Sequence, residues 1–317
     1  MRKRLWITLV LSGIFSLAAL TTDGLAQTTE RVSVVHLTGA QATGGASSNP
    51  AISSDGNFVA FESLATNLLG TGVDTHGLAD IFVHDTTTGT TTRVSVVDVT
   101  GAEATGGASS NPSISSDGRF VAFESVATNL LGTGVDTNGL ADIFVHDTTT
   151  GATTRVSVAS SGAQATGGPS SNPSISSNGR FVVFQSAATN LVTGDTAGFQ
   201  DIFVHDRQTG QTTRVSVSSS GAEATAGNSL NPSIAPEGRF VAFESLATNL
   251  VTGDTNASSD TFVHDRGASS VSDGGAGGDG GCFIDTAAGF MPRHVSRSLF
   301  LFVAAAAFAA AVRLKTR

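Results

Sequence analysis

The sequence predicts an all-β fold: a β-propeller of four four-stranded blades, closed by an N-terminal strand at 31–34 that completes the last blade. Three observations carry this expectation. A unit of about sixty residues recurs four times, each copy reads as four short strands separated by turn signals, and helical periodicity is absent. Arg-Val-Ser-Val begins at Arg31, Arg93, Arg155 and Arg214, Asn-Pro recurs with its proline at 50, 112, 173 and 232, and Phe-Val-His-Asp ends at Asp85, Asp147, Asp206 and Asp265.

The second copy shows the pattern in order. Pro112 to Ser115 is the first predicted strand, followed by an Asp117-Gly118 hairpin signal. Arg119 to Ser125 is the second, rich in residues that suit a pleated, packed surface. A polar loop leads to the third strand, Asp142 to His146, apolar enough to be buried on both faces. After the turn at Asp147–Gly151 comes the fourth, Thr153 to Val158, with Val156 and Val158 on one face. Four-stranded units repeated around an axis are propeller blades. The array opens on a lone fourth strand, Arg31–Val34, and its last copy stops after the third strand, Thr261–Asp265, so pairing the two completes sixteen strands and covers two edges at once.

The segments SSDGRFVAFES and DIFVHDRQTGQTTRVSV resemble the PD40, or WD40-like, repeat of TolB-type propellers over roughly residues 31–266. The resemblance implies a propeller. Four blades are fewer than is usual in that family, so closure within one chain and a larger ring shared by two chains both stay open.

Composition narrows the function. The 317 residues include one Cys, 37 Gly and no Tyr, and only 14% are charged, which excludes a disulfide framework and a cysteine-based zinc site. Between residues 27 and 281 there are 9 Arg and 24 Asp+Glu, a net of 9 − 24 = −15. Such a surface repels phosphate backbones, and nucleic acid is not an expected partner.

Both ends read as addresses. The basic start Arg2-Lys3-Arg4, the apolar run from Leu5 to Leu20 and the small residues Gly24 and Ala26 before a cut at Gln27 have the layout of a signal peptide spanning 1–26, with an uncleaved anchor as the alternative. The repeats occupy 27–266, and a Gly/Ser-rich linker expected to be disordered occupies 267–281. In 282–317 a short apolar helix, Leu299–Val312, precedes a basic end. Gly280-Gly281-Cys282 and the following CFI-x-TAA stretch resemble the CFI-box sorting tails of bacterial surface proteins. That resemblance implies cleavage near the motif and a lipid on Cys282, the alternatives being an incidental thiol and a plain membrane helix. The expected location is exported, in the periplasm or at the cell surface, with the tail as membrane anchor.

Three recurrences are candidate sites. The pairs His84-Asp85, His146-Asp147, His205-Asp206 and His264-Asp265 suggest metal binding, but equivalent positions in a ring cannot converge on one ion, so each His is expected to pack between blades and each Asp to cap the next turn. A second set is Asp74 with Asp80, Asp136 with Asn138 and Asp142, Asp195 with Asp201, and Asp254 with Asn256 and Asp260. These could hold Ca²⁺ through oxygen ligands or close Asx turns. The third is Glu62, Glu124, Gln185 and Glu244, expected to make a blade-end salt bridge or hydrogen bond, with Arg93, Arg155 or Arg214 as candidate partners, or to line a site for a cationic ligand. None of these breaks the fourfold pattern as a catalytic centre would. The expected function is therefore a non-catalytic binding or scaffold module for an envelope protein or glycan. The alternatives are a hydrolase or polysaccharide lyase with a loop-borne site and a calcium-dependent adhesin.

Overall fold

The computed structural model describes residues 28–267 except Val99, and it contains strands and no helices over that range. The expectations placed on 1–26 and on 268–317, including Ala26, Gly280, Gly281 and Cys282, lie outside the described residues. Blade 1 holds β1 (Ser47–Ile52), β2 (Phe58–Ser63), β3 (Asp80–Asp85) and β4 (Thr90–Arg93). Blade 2 holds β5 (Ser109–Ile114), β6 (Phe120–Ser125), β7 (Asp142–Asp147) and β8 (Thr153–Arg155). Blade 3 holds β9 (Ser170–Ile175), β10 (Phe181–Ser186), β11 (Asp201–Asp206) and β12 (Gln211–Arg214), and blade 4 holds β13 (Ser229–Ile234), β14 (Phe240–Ser245) and β15 (Asp260–Asp265). Each blade is an antiparallel meander in chain order.

The first strand of every blade starts earlier than expected, so the proline falls inside it. It is tolerated there because Asn49, Asn111, Asn172 and Asn231, one residue before each proline, take φ of 50 to 52° and shift the register at that point. Asn enters this left-handed region more easily than most residues, and a bulge is where a strand can lack a donor.

The core lies between blades. Phe61 and Phe82 are direct cross-strand partners stacked at 5.9 Å, and Phe123–Phe144, Phe184–Phe203 and Phe243–Phe262 repeat the pair at 6.0, 6.1 and 5.8 Å. Each phenyl pair beyond the first faces the preceding blade. There it meets the Ala, Ile and Val of that blade's second and third strands, as Phe123 and Phe144 meet Ala60, Ile81 and Val83. Hydrogen bonds stitch the same seams. Ser54 N–H donates to Ser116 O, Ser116 N–H to Ser177 O and Ser177 N–H to Pro236 O, each at 3.0 Å.

The expected pairing of 31–34 with β15 is corrected by the structure: the fourth sheet has three strands and 31–34 joins none of them, because blade 4 does not reach the segment. Thr91 in β4 donates its hydroxyl to Val34 O and its N–H to His36 Nδ1, which ties this segment to blade 1 as Thr153 and Thr212 tie Val96 and Val158 to the blades that follow them. Both ends of the array are consequently open. Val263 is 69% exposed where Val145 is 0%, Phe240 is 41% exposed where Phe181 is 4%, and Ile52 is 64% exposed.

Phe144 is fully buried between blades 1 and 2, so Phe144→Ala is expected to lower unfolding free energy by about 3–5 kcal/mol, measured by urea denaturation. A loss below about 1 kcal/mol would mean the interblade cores are not the main source of stability.

Candidate functional site

The inner strands converge on a concave recess of about 430 Å³ lined by Asn49-Pro50, Asn111-Pro112, Asn172-Pro173 and Asn231-Pro232. The left-handed backbone at each Asn aims the amides along the wall. Asn49 Nδ2 donates to Asn111 Oδ1 at 3.3 Å, Asn111 Nδ2 to Asn172 Oδ1 at 3.4 Å, and Asn172 Nδ2 to Asn231 Oδ1 at 3.5 Å. The set Glu62, Glu124, Gln185 and Glu244 sits behind this row, and the expected pairing with Arg93, Arg155 and Arg214 is corrected. Glu62 accepts from Asn49 Nδ2 at 2.9 Å and from the Asn111 backbone N–H of the next blade at 3.3 Å. Glu124 and Gln185 accept likewise from Asn172 N and Asn231 N. An acceptor oxygen is all the seam needs, which explains why neutral Gln185 serves in blade 3.

The arginines go to the second set. Arg93 Nη1 lies 2.9 Å from Asp80 and 2.8 Å from Glu103. Arg214 Nη1 lies 3.5 Å from Asp195, 3.0 Å from Asp201 and 2.7 Å from Glu223, and Arg155 lies 3.2 Å from Asp142 and 3.9 Å from Asp136. Serine hydroxyls complete the motif, Ser95, Ser157 and Ser216 donating to Asp80, Asp142 and Asp201 at 2.6 Å. Burial raises those three Asp above the ordinary carboxylate range, against the pull of serine and arginine. Burial and the Asp201 charge push Asp195 up to about 6, since one guanidinium faces three carboxyls. Burial would raise Glu103 as well, but Thr75 and Arg93 hold it at about 2.

Carboxyl oxygens of Asp74, Asp80 and Glu103, and of Asp195, Asp201 and Glu223, do gather within 4.8 Å, close enough for a cation. Each arginine already places its positive charge among them, so the donor set fits a guanidinium better than Ca²⁺. Asp74 and Asp136 also close their loops, accepting from His76 N and from Asn138 N. Asn138 reaches on to Ala165 O, and Asn256 to Asp260. In blade 4 the cluster is unfinished: both oxygens of Asp254 are buried without a partner. The sequence held a signal for this cluster that the expectations missed. The Arg-Val-Ser-Val arginine and the Glu or Gln at 103, 164 and 223 share the period of the Asp pairs.

The histidines form seams rather than a metal centre. His84 Nδ1 is 3.0 Å from Thr91 Oγ1, whose single proton goes to Val34 O, so Nδ1–H must be the donor to the threonine. His146 with Thr153 and Val96 O, and His205 with Thr212 and Val158 O, repeat the relay. Burial lowers all four histidines below their ordinary value. The adjoining Asp85 and Asp147 accept the N–H groups of the following turns, at Thr87 and Thr149.

Repeated antiparallel sheets stacked through their Phe-bearing faces define a chain of β-propeller type. No family model matches the sequence, and no curated protein matches it. Among solved structures, it is similar to TolB from Acinetobacter baumannii at 18% identity and a TM-score of 0.40, over 70% of this chain and 41% of that one. It is also similar to a putative TolB from Agrobacterium tumefaciens at 17% identity and a TM-score of 0.38, over 70% and 78%. A Pyrococcus horikoshii acylaminoacyl peptidase matches at 14% identity and 0.39, over 71% and 31%.

Two outcomes are expected from the charged groups. Arg180 grips Asp206 with bonds of 2.9 and 2.7 Å and, with the Gln208 N–H, outweighs burial to hold it at about 2 against an ordinary 3.8. A lowered folded value stabilises above the unfolded value and is lost as pH falls through the folded one. Asp206→Asn should therefore cost about 1–2 kcal/mol at pH 7, with the gap to wild type closing between about pH 4 and 2 in denaturation curves. A gap that persists at pH 2 would contradict the charge argument. Chelation by EGTA should leave the thermal midpoint unchanged because an arginine already sits among the carboxyls in blades 1 to 3. A drop of several degrees would show a bound ion that stabilises the native state.

Proposed function

We propose that the repeats form a non-catalytic binding or scaffold module, exported and held at the cell envelope by the C-terminal tail, with an envelope glycan or protein as partner. The observation that carries this reading is the recess of four Asn-Pro pairs. Its wall offers amide and carboxyl groups in a regular row, backed by Glu62, Glu124 and Glu244, and proline rings between them. A polyhydroxylated ligand suits such a wall, because each hydroxyl both donates and accepts. A protein anchor pocket would instead call for aromatic hot spots, and the chain has no Tyr and a single Trp at position 6, in the predicted leader.

The test is binding of the purified protein to insoluble peptidoglycan and to an oligosaccharide array, with Asn111→Ala/Asn172→Ala as comparison. Retention that falls at least about tenfold in the double variant is expected. Equal retention by both proteins, or turnover of the glycan, would overturn the reading.

A further inference from the structure

The two open ends of the array carry complementary halves of one blade-to-blade seam, and we propose that a second copy of this chain closes it, giving a head-to-tail ring of eight blades. Each internal seam has the same parts. A turn glycine of the following blade abuts the phenylalanine that opens β2, β6 or β10: Gly118 against Phe58, Gly179 against Phe120, Gly238 against Phe181. At the ends these parts stand apart. Gly56 has no atom near the position of a Cβ, and Phe240 is exposed. Glu124 and Gln185 each accept from the next blade's Asn backbone, whereas Glu244 is bonded to Asn231 of its own blade and the matching N–H is that of Asn49.

The carboxyl cluster gives the sharper argument. In blades 1 to 3 the arginine of the fourth strand and the serine two residues on meet the second Asp of each pair, Asp80, Asp142 or Asp201, whereas blade 4 lacks that strand and leaves both oxygens of Asp254 without a partner, where Asp74 and Asp136 each leave one. Arg31 and Ser33 are the missing pair by sequence, and Gln41 matches Glu103, Gln164 and Glu223. Thr91 fixes Val34 and His36 against blade 1, as Thr153 fixes Val96 and Thr212 fixes Val158, and Arg31 lies exposed ahead of them. A blade 4 docked on blade 1 would therefore receive Arg31 beside Asp254 and Asp260, with 31–33 beside β15.

The blade 4 concerned belongs to another copy because of the step between blades. Three seams with the same bonds at nearly the same lengths define one rotation, and among the described residues no hydrogen bond joins blade 4 to blade 1. The rotation is thus too small to close four blades, and identical seams close only on a larger number. Two copies supply eight through two equivalent junctions, as closed symmetry requires. The junction is weaker than the internal seams. Pro236 cannot donate to Ser54 O, and Thr261 stands where the other blades have Ile81, Ile143 and Ile202, so dissociation on dilution is expected.

The test uses the full chain in detergent, with native mass spectrometry over a dilution series. The expected result is twice the chain mass, falling to the single mass on dilution. Arg31→Glu and Asp254→Arg should each weaken assembly about tenfold or more, and the two together should restore it. A single mass at every concentration, or doubling that neither variant alters, would overturn the proposal. Val32→Cys/Thr261→Cys in a Cys282→Ser background separates the two modes of closure. A covalent dimer on a non-reducing gel supports exchange between copies, and a cross-link confined to the single mass would show that the chain closes on itself.

Discussion

A blade in this protein cannot bury itself. Each sheet has two apolar faces, a phenylalanine pair on one and Ala, Ile and Val on the other; a neighbouring blade removes them from water at every internal seam, while Ala42, Leu68 and Leu69 cover the Phe61–Phe82 pair of blade 1. Stability therefore resides in the seams, as in other repeat architectures where nearest-neighbour contacts dominate. The polar features follow from the same constraint. Glu62, Glu124 and Gln185, the Ser54–Ser116–Ser177 ladder and the His–Thr–carbonyl relays all join one blade to the next.

That constraint also sets how far the candidate sites can be read as chemistry. The carboxyl groups in the Asp loops face an arginine of their own blade, and the histidines sit against threonine with their charge suppressed by burial. Groups engaged in this way hold the scaffold. The Asn-Pro row differs because it lines open space while its backbone and Glu contacts hold each amide in place, as expected of a recognition surface on a rigid frame.

The strands were legible because each repeat alternates a compact apolar run with Asp-Gly or Gly turns, and four copies confirm one another. The identical Phe-Val-Ala-Phe-Glu-Ser segments at 58–63, 120–125 and 240–245 are strands in all three blades. Proline placement was misjudged because a left-handed Asn and its bulge are a backbone property that residue types only hint at. The partner of each arginine was missed because the Asp pair and the Glu or Gln lie nine or more residues away in opposite directions, and only folding shows that β3 and β4 bring them together. Closure was not legible for a different reason. Sequence shows that the end segments match, but the angle between blades is set by packing volume and decides whether they can meet.

Hydrogen exchange on the dissociated single chain tests most directly the claim that every sheet depends on its neighbours. Amides of β7 and β11, enclosed on both sides, should exchange slowest, and those of Thr261–Asp265 in β15 should exchange far faster although their sequence is nearly the same. Protection of β15 equal to that of β11 would mean that a blade is stable without the next one, and the account built on seams would fail.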